Sequence, residues 1–353
     1  MTPFGVYVHI PFCARRCDYC AFATWTDRDH LQSSYVDASA REIEKAALPI
    51  ASSVFFGGGT PSLLPAASLL RLLSLIPRAS DAEVTVECNP ETVTLALLDA
   101  YARGGVTRVS FGVQSMRAHV LRSLGREHDP STVVRAVGLA KDVGFASWSV
   151  DLIYGGVGES LDDWRRTIDD VLAFDPPHVS AYALTVEAGT PLARDTARHP
   201  DDDDQAAKYA LADELFAAAG LGWYEVSNWA RAGHECRHNL LYWTGGPYRG
   251  IGCAAHSYDG DRRRWWNVRT PERYIDAIDR GVSPIAADDV LTASQRAHEA
   301  LSLSLRTRVG VPAEALSDRQ AIDALVTDSD DGRAVLTREG RMLANEVALR
   351  LVG

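Results

Sequence analysis

Short runs rich in β-branched and aromatic residues recur through the first half of the chain, at positions 6–10, 53–57, 83–87, 108–113, 149–154 and 179–184. Each has the length and composition of a buried strand. Helix-length stretches separate them, and the clearest carries Leu161, Trp164, Ile168, Val171 and Leu172 at spacings that fall on one helical face. Strand and helix alternating in this order predict a parallel sheet with right-handed crossovers, either an open barrel or a doubly wound sheet. The barrel is the better fit, because the polar and glycine-rich segments collect just after the strands, and a barrel gathers those ends on one face. The four aspartates at 201–204 precede a helical stretch at 205–219, where negative charge suits the positive end of the helix dipole.

Composition adds bounds to this picture. The 353 residues are 46% hydrophobic and 24% charged, enough for a large core and a second, smaller unit. The net charge of -11 argues against a broad phosphate-binding surface, so nucleic acid is not an expected partner. No basic segment followed by an apolar one precedes Cys13, and no apolar run reaches the roughly 18 residues that span a bilayer. The expected location is the cytoplasm, where reducing conditions make a tight cysteine cluster a metal or redox site rather than a staple.

Three of the six cysteines, Cys13, Cys17 and Cys20, follow the first strand with C-x3-C-x2-C spacing. A structural zinc site ordinarily takes four protein ligands, and here a distant fourth would be needed. A [4Fe-4S] cluster on three thiolates would keep one iron free of protein ligands. The spacing favours iron-sulfur and leaves zinc and redox thiols open. Cys88, Cys236 and Cys253 are scattered; Cys88 and Cys253 have apolar or small neighbours, as buried inert thiols do.

The segment YVHIPFCARRCDYCAF, together with GGGTPS, GVQS, DLIYG, SAYALTVEAGTPL and RHNLLYW, resembles the radical S-adenosylmethionine (radical SAM) family. Within it the similarity is to the branch of oxygen-independent coproporphyrinogen III oxidases and HemW-type heme chaperones, and it runs from Tyr7 to the C-terminal LTREGRMLANEV. The resemblance implies a partial (β/α)6 barrel, a [4Fe-4S] cluster on Cys13, Cys17 and Cys20, and S-adenosylmethionine on the open iron. It assigns Gly58, Gly59 and Thr60 to the methionine end of that cofactor, where glycine lets the backbone come close, and Arg126 to the methionine carboxylate. Glu87, Gln114 and Asp151, at three strand ends, suit the ribose hydroxyls and the charged centre. Tyr7 and Tyr19 flank the cluster, as cofactor contacts or as packing.

HNxxYW marks the chaperone branch and stands here as His238, Asn239, Tyr242 and Trp243, which makes His238 the expected axial heme ligand. Trp223, Trp229, Trp265 and Trp266 could line a porphyrin site or fill a core. Three protein ligands at His234, Cys236 and His238 fall short of a zinc site, and GIGCAA lacks the strand context of a dinucleotide fold. The expected organisation is a barrel over 1–235, a connecting region over 236–290 and a winged-helix-like domain over 291–353. Acidic residues in that last domain match or slightly outnumber its arginines, and it has no lysine, which speaks against DNA and for a lid or docking surface.

Phe22 stands where the oxidase branch carries a fourth cysteine, and that branch has a longer segment before its cluster. Both differences favour a heme chaperone that delivers heme to acceptor hemoproteins such as respiratory-chain proteins, with peripheral contact to membrane-protein acceptors conceivable. The alternative is the oxidase, which decarboxylates coproporphyrinogen III by radical chemistry. YGGVGES and GIGCAAHS depart from the family's YGLPG and GIGAGAHS, which bears on the fine shape of the pocket.

Overall fold

A computed structural model describes residues 3–126 and 129–352. Six strands run parallel in chain order: β1 (Gly5–Ile10), β2 (Ala51–Gly58), β3 (Arg78–Cys88), β4 (Arg108–Gln114), β5 (Ser147–Tyr154) and β6 (His178–Ala183). Their register stacks apolar residues side by side, with Val6 opposite Val54, Val54 opposite Val84, Val86 opposite Val109 and Val150 opposite Val179. Helices α1 (Gln32–Lys45), α2 (Ala66–Leu75), α3 (Leu95–Arg103), α4 (Ala118–Ser123), α5 (Pro130–Val143) and α6 (Leu161–Leu172) lie in the crossovers.

Alternation along the strands separates packing from chemistry. Val6, Val8 and Ile10, Val84 and Val86, Val109, Phe111 and Val113, and Val150 and Leu152 are buried in one core with Leu69, Leu73, Leu98, Val133, Trp164 and Ile168 of the helices. The intervening positions, among them Tyr7, Gly57, Glu87, Gly112 and Asp151, point to the other side of the sheet. Helix α6 buries Trp164, Ile168 and Val171 as its spacing predicts, while Leu161 is exposed. Its start is fixed by a capping box between Ser160 and Asp163.

Next come α7 (Pro191–Arg194), α8 (Asp202–Ala218), β7 (Gly222–Glu225), β8 (Asn228–Ala230) and α9 (Arg237–Trp243). The aspartate run does open a helix, since Asp201 caps α8 by accepting the Asp204 N–H at 2.9 Å. Then follow β9 (Tyr248–Ile251), β10 (His256–Tyr258), β11 (Arg263–Asn267), α10 (Pro271–Asp279) and β12 (Ile285–Val290). Strand β9 pairs in parallel with β1, Tyr7 opposite Gly250, and β10, β11 and β12 extend that edge antiparallel. At the other edge β8 and β7 continue antiparallel from β6. The sheet therefore has twelve strands in an open, mostly parallel arrangement and does not close.

The final stretch holds α11 (Ala293–Leu305), β13 (Val311–Pro312), β14 (Val326–Asp328), β15 (Arg333–Leu336), α12 (Arg338–Met342) and α13 (Ala344–Ala348). It has its own small sheet and its own core of Leu305, Val311, Ile322, Val326, Leu336 and Val347. Arg341 joins it to α8 through Asp213. Among the described residues no helix is long and apolar enough to cross a membrane.

Candidate functional site

The C-terminal ends of β1–β6 surround a cavity of about 590 Å³. Cys13, Cys17 and Cys20 line it from the loop after β1, Gly58, Gly59 and Thr60 from the end of β2 and the turn after it, Glu87 from β3, Gln114 from β4, Arg126 from the segment that follows α4, Asp151 from β5 and Tyr19 from the cysteine loop. Eleven of the residues singled out from the sequence thus meet in one place. Tyr7 and His238 do not line it.

The three thiols are free. Cys13 is buried, and Thr60 Oγ1 lies 3.7 Å from its sulfur. Burial raises the Cys13 and Cys20 thiols above their ordinary pKa. Among the described residues no three His, Cys, Asp or Glu side chains sit close enough to hold a single metal ion.

The glycine loop is close-packed by design. A Cβ on Gly59 would stand 2.6 Å from the Phe12 carbonyl and 3.0 Å from Cys13 Sγ, and Gly58 has φ +110°. A side chain is therefore excluded at both positions, and backbone forms that wall. Gly58 N–H donates to Glu87 Oε2 at 3.1 Å. Burial and then the neighbouring Asp151 push the Glu87 carboxyl up to about 8, against the Gly58 hydrogen bond, so it carries a proton at neutral pH. Asp151 is held by two hydroxyls, Ser110 and Ser180, which each donate at 2.7 Å to a different carboxylate oxygen.

Gln114 occupies the left-handed region at φ +66°, where β4 slips register against β5 between Gly112 and Gln114. A non-glycine residue held there, at a bulge ending a strand, re-aims its side chain at the cavity. Arg126 is buried in the wall, donating to the Gly112 carbonyl at 2.7 Å and to Asn89 Oδ1 at 3.4 Å, while its Nε has no partner. Asn89, Ser110 and Tyr182 also line the cavity and Ser180 holds Asp151; of these only Ser110 has a signal in the sequence, as the polar position two before Gly112 on the inward face of β4.

A second cavity of about 390 Å³ adjoins the first, sharing Ala21 and Phe22 as its wall, and is lined by Tyr7, His9, Tyr242, Tyr248, His256 and Arg269. Phe22 is 67% exposed between the two. The Tyr7 hydroxyl lies 3.0 Å from His9 Nδ1, and His9 Nε2 lies 2.9 Å from the Ala23 carbonyl. Behind this cavity, His238 is 1% exposed with both ring nitrogens engaged, Nδ1 with Ser53 Oγ and Nε2 with the Tyr242 hydroxyl, each at 2.9 Å. Its ring stacks on Phe55 at 5.3 Å. The structure gives His238 a packing place and no free nitrogen, in contrast to the axial position expected from HNxxYW. Of the tryptophans, Trp229 is core, Trp223 lies under Arg341, Trp265 is flanked by Arg249 and Arg263, and Trp266 stacks on His256.

An open sheet of six parallel strands with a three-cysteine loop at the mouth of its cavity defines a radical SAM protein, and residues 7–171 match the family model described as the radical SAM superfamily. The chain is 42% identical to a protein of Mycobacterium tuberculosis named heme chaperone HemW, over 99% of this chain and 95% of that one. It is 32% identical to the heme chaperone HemW of Bacillus subtilis, over 97% of both. Among solved structures, the coproporphyrinogen III oxidase HemN of Escherichia coli, described as a radical SAM enzyme, superposes with a TM-score of 0.85 at 24% identity, covering 99% of this chain and 89% of that one. At that identity the likeness concerns the fold. The chain belongs to the HemW-type family of radical SAM proteins.

The family implies a [4Fe-4S] cluster and S-adenosylmethionine, and the residues present fit both. Three free thiols line the cavity together with a side-chain-free backbone wall, a buried arginine with an unpartnered Nε and two half-buried carboxyls.

Proposed function

We propose that this protein binds heme and passes it to acceptor hemoproteins, with Cys13, Cys17 and Cys20 holding a [4Fe-4S] cluster and the larger cavity holding S-adenosylmethionine. The observation that carries the reading is the pair of adjoining cavities, one lined by the thiols and one by aromatics and two histidines, with exposed Phe22 between them. A cluster on three thiolates offers an open iron for one-electron chemistry at S-adenosylmethionine. The chain's own part follows from its geometry. Gly58 and Gly59 admit the methionine end, Arg126 is suited to a carboxylate, Gln114 and Asp151 are suited to hydroxyls, and Glu87 keeps a proton beside Gly58. The names of the curated relatives support the heme assignment.

In this reading the barrel spans 1–235, residues 236–290 add the aromatic edge, and 291–353 form a winged-helix-like domain facing partners. The acceptors are hemoproteins such as those of a respiratory chain, met in the cytoplasm or at the periphery of a membrane. The test is one anaerobic preparation assayed for iron, heme binding and coproporphyrinogen III turnover. Iron together with heme binding and without turnover is expected. Decarboxylation over multiple turnovers would overturn the proposal in favour of an oxidase.

A further inference from the structure

The smaller cavity contains a set of groups that nothing in the barrel chemistry uses. His256 sits on β10 directly opposite Trp266 on β11, and this cross-strand pairing stacks the two rings at 5.5 Å and 23°. The imidazole is exposed, and among the described residues neither of its nitrogens has a hydrogen-bond partner. Partial desolvation where the ring lies on Trp266, and then Arg264, hold its pKa below the ordinary value, so a nitrogen lone pair is available at neutral pH. Arg269 is likewise exposed on the rim, and among the described residues it makes no hydrogen bond or ion pair. The other walls are mainly aromatic: Tyr242 meets Tyr248 edge-on at 4.6 Å, Ala21 and Phe22 close the side toward the thiols, and His9 lines the cavity with its two nitrogens engaged by the Tyr7 hydroxyl and the Ala23 carbonyl.

A metalloporphyrin asks for these three things together: a neutral imidazole nitrogen for the metal, flat faces for the macrocycle and a cation for the carboxylate side chains. We propose that this cavity is the heme-holding site, with His256 as axial ligand and Arg269 pairing with a propionate; the assignment rests on the heme-binding reading above. His238 then acts as a positioning residue, since its Nε2 fixes the hydroxyl of Tyr242, which lines the cavity. The site opens beside Phe22 and so places bound heme next to the thiol-lined cavity.

The experiment titrates hemin into the full-length, cluster-loaded protein and follows the Soret band. His256→Ala should lose the shifted band and bind hemin at least about tenfold more weakly, the scale of loss when groups around a bound metal are removed. Added imidazole should restore the band in that variant, and Arg269→Ala should weaken binding while keeping it. Far-UV circular dichroism and iron content should match the unsubstituted protein in both. A His256→Ala protein with the original band and affinity would refute this site and leave the heme reading standing. An unsubstituted protein with no Soret shift would refute both.

Discussion

The Arg126 guanidinium donates to the Gly112 carbonyl at 2.7 Å, tying the segment that follows α4 to the strand end that lines the larger cavity. That bond uses Nη2, and Nη1 reaches Asn89 at 3.4 Å, too long to hold it firmly. Arg126→Ala should weaken S-adenosylmethionine binding by about 1.5–3 kcal/mol, the worth of a hydrogen bond to a charged group. That is roughly ten- to a hundredfold by calorimetry. Iron content should not change. An unaltered dissociation constant would leave the arginine with a packing role only.

Two cysteine variants separate the thiol site from bulk thiols. Cys17 and Cys88 both line the larger cavity, but Cys17 is partly exposed in the loop after β1, whereas Cys88 ends β3 at 2% exposure and burial pushes its thiol up to about 12. Cys17→Ala should abolish the brown chromophore and the bound iron of reconstituted protein, and Cys88→Ala should retain both. Stoichiometric zinc in place of iron would sink the iron-sulfur assignment.

Glu87 gives a pH signature. Its folded pKa of about 8 lies above the ordinary 4.5, so between those values the folded state binds the proton more tightly than the unfolded chain. Stability therefore falls as pH rises from about 4.5 to about 8 and levels off above. Glu87→Gln keeps an acceptor for the Gly58 N–H and removes the titration. Its melting temperature, measured without S-adenosylmethionine, should match the unsubstituted protein at pH 5 and exceed it at pH 8.5. Equal melting curves at both would show that the carboxyl is already ionised in the fold.

His238 is the place where sequence and structure part. The motif is legible in the chain, but its role depends on Ser53 and Phe55 of β2, whose proximity only the fold supplies. The six parallel strands were legible because each contains a short run rich in β-branched or aromatic residues. The edge strands were not: β9 holds a glycine in four residues, and β12 is mostly exposed and acidic. His256 directly follows GIGCAA and carries no signal of its own in the sequence, and only pairing with β11 sets its ring beside Trp266.

Replacing His238 with alanine should cost about 2–4 kcal/mol in denaturant unfolding, from a cavity, the buried Ser53 hydroxyl left without this partner and the half-buried Tyr242 hydroxyl set loose. The pH dependence supplies a second readout. Burial lowers its folded pKa to about 3, so the unfolded chain binds the proton preferentially between about 3 and 6.5, and stability rises with pH across that window. The alanine variant should lose that contribution. A variant as stable as the parent would mean that the Ser53 and Tyr242 contacts contribute nothing.

Backbone bonds between residues 224–226 and 306–308 join the C-terminal unit to the barrel, and Asp213 adds a side-chain clasp. Its carboxylate accepts Arg341 at 2.8 and 2.7 Å, Arg338 at 2.8 Å and the Trp229 indole N–H at 2.9 Å. The Arg341 guanidinium also lies 4.4 Å over the Trp223 ring, so one arginine is both paired and stacked. Burial opposes the charge on Asp213, but the bonds from Arg341, Trp229 and Arg338 outweigh it and hold the pKa below 3.8. The contribution is complete above that value and lost as pH falls through the folded pKa. Asp213→Ala strands Arg341 without its partner in a buried position and should cost roughly 3–5 kcal/mol. Because the C-terminal core is separate from the main one, the loss should appear first as undocking: protease cutting near residue 291 at denaturant concentrations that leave the barrel and its iron intact. Unfolding of both parts in one transition, at an unchanged midpoint, would show that the clasp does not govern docking.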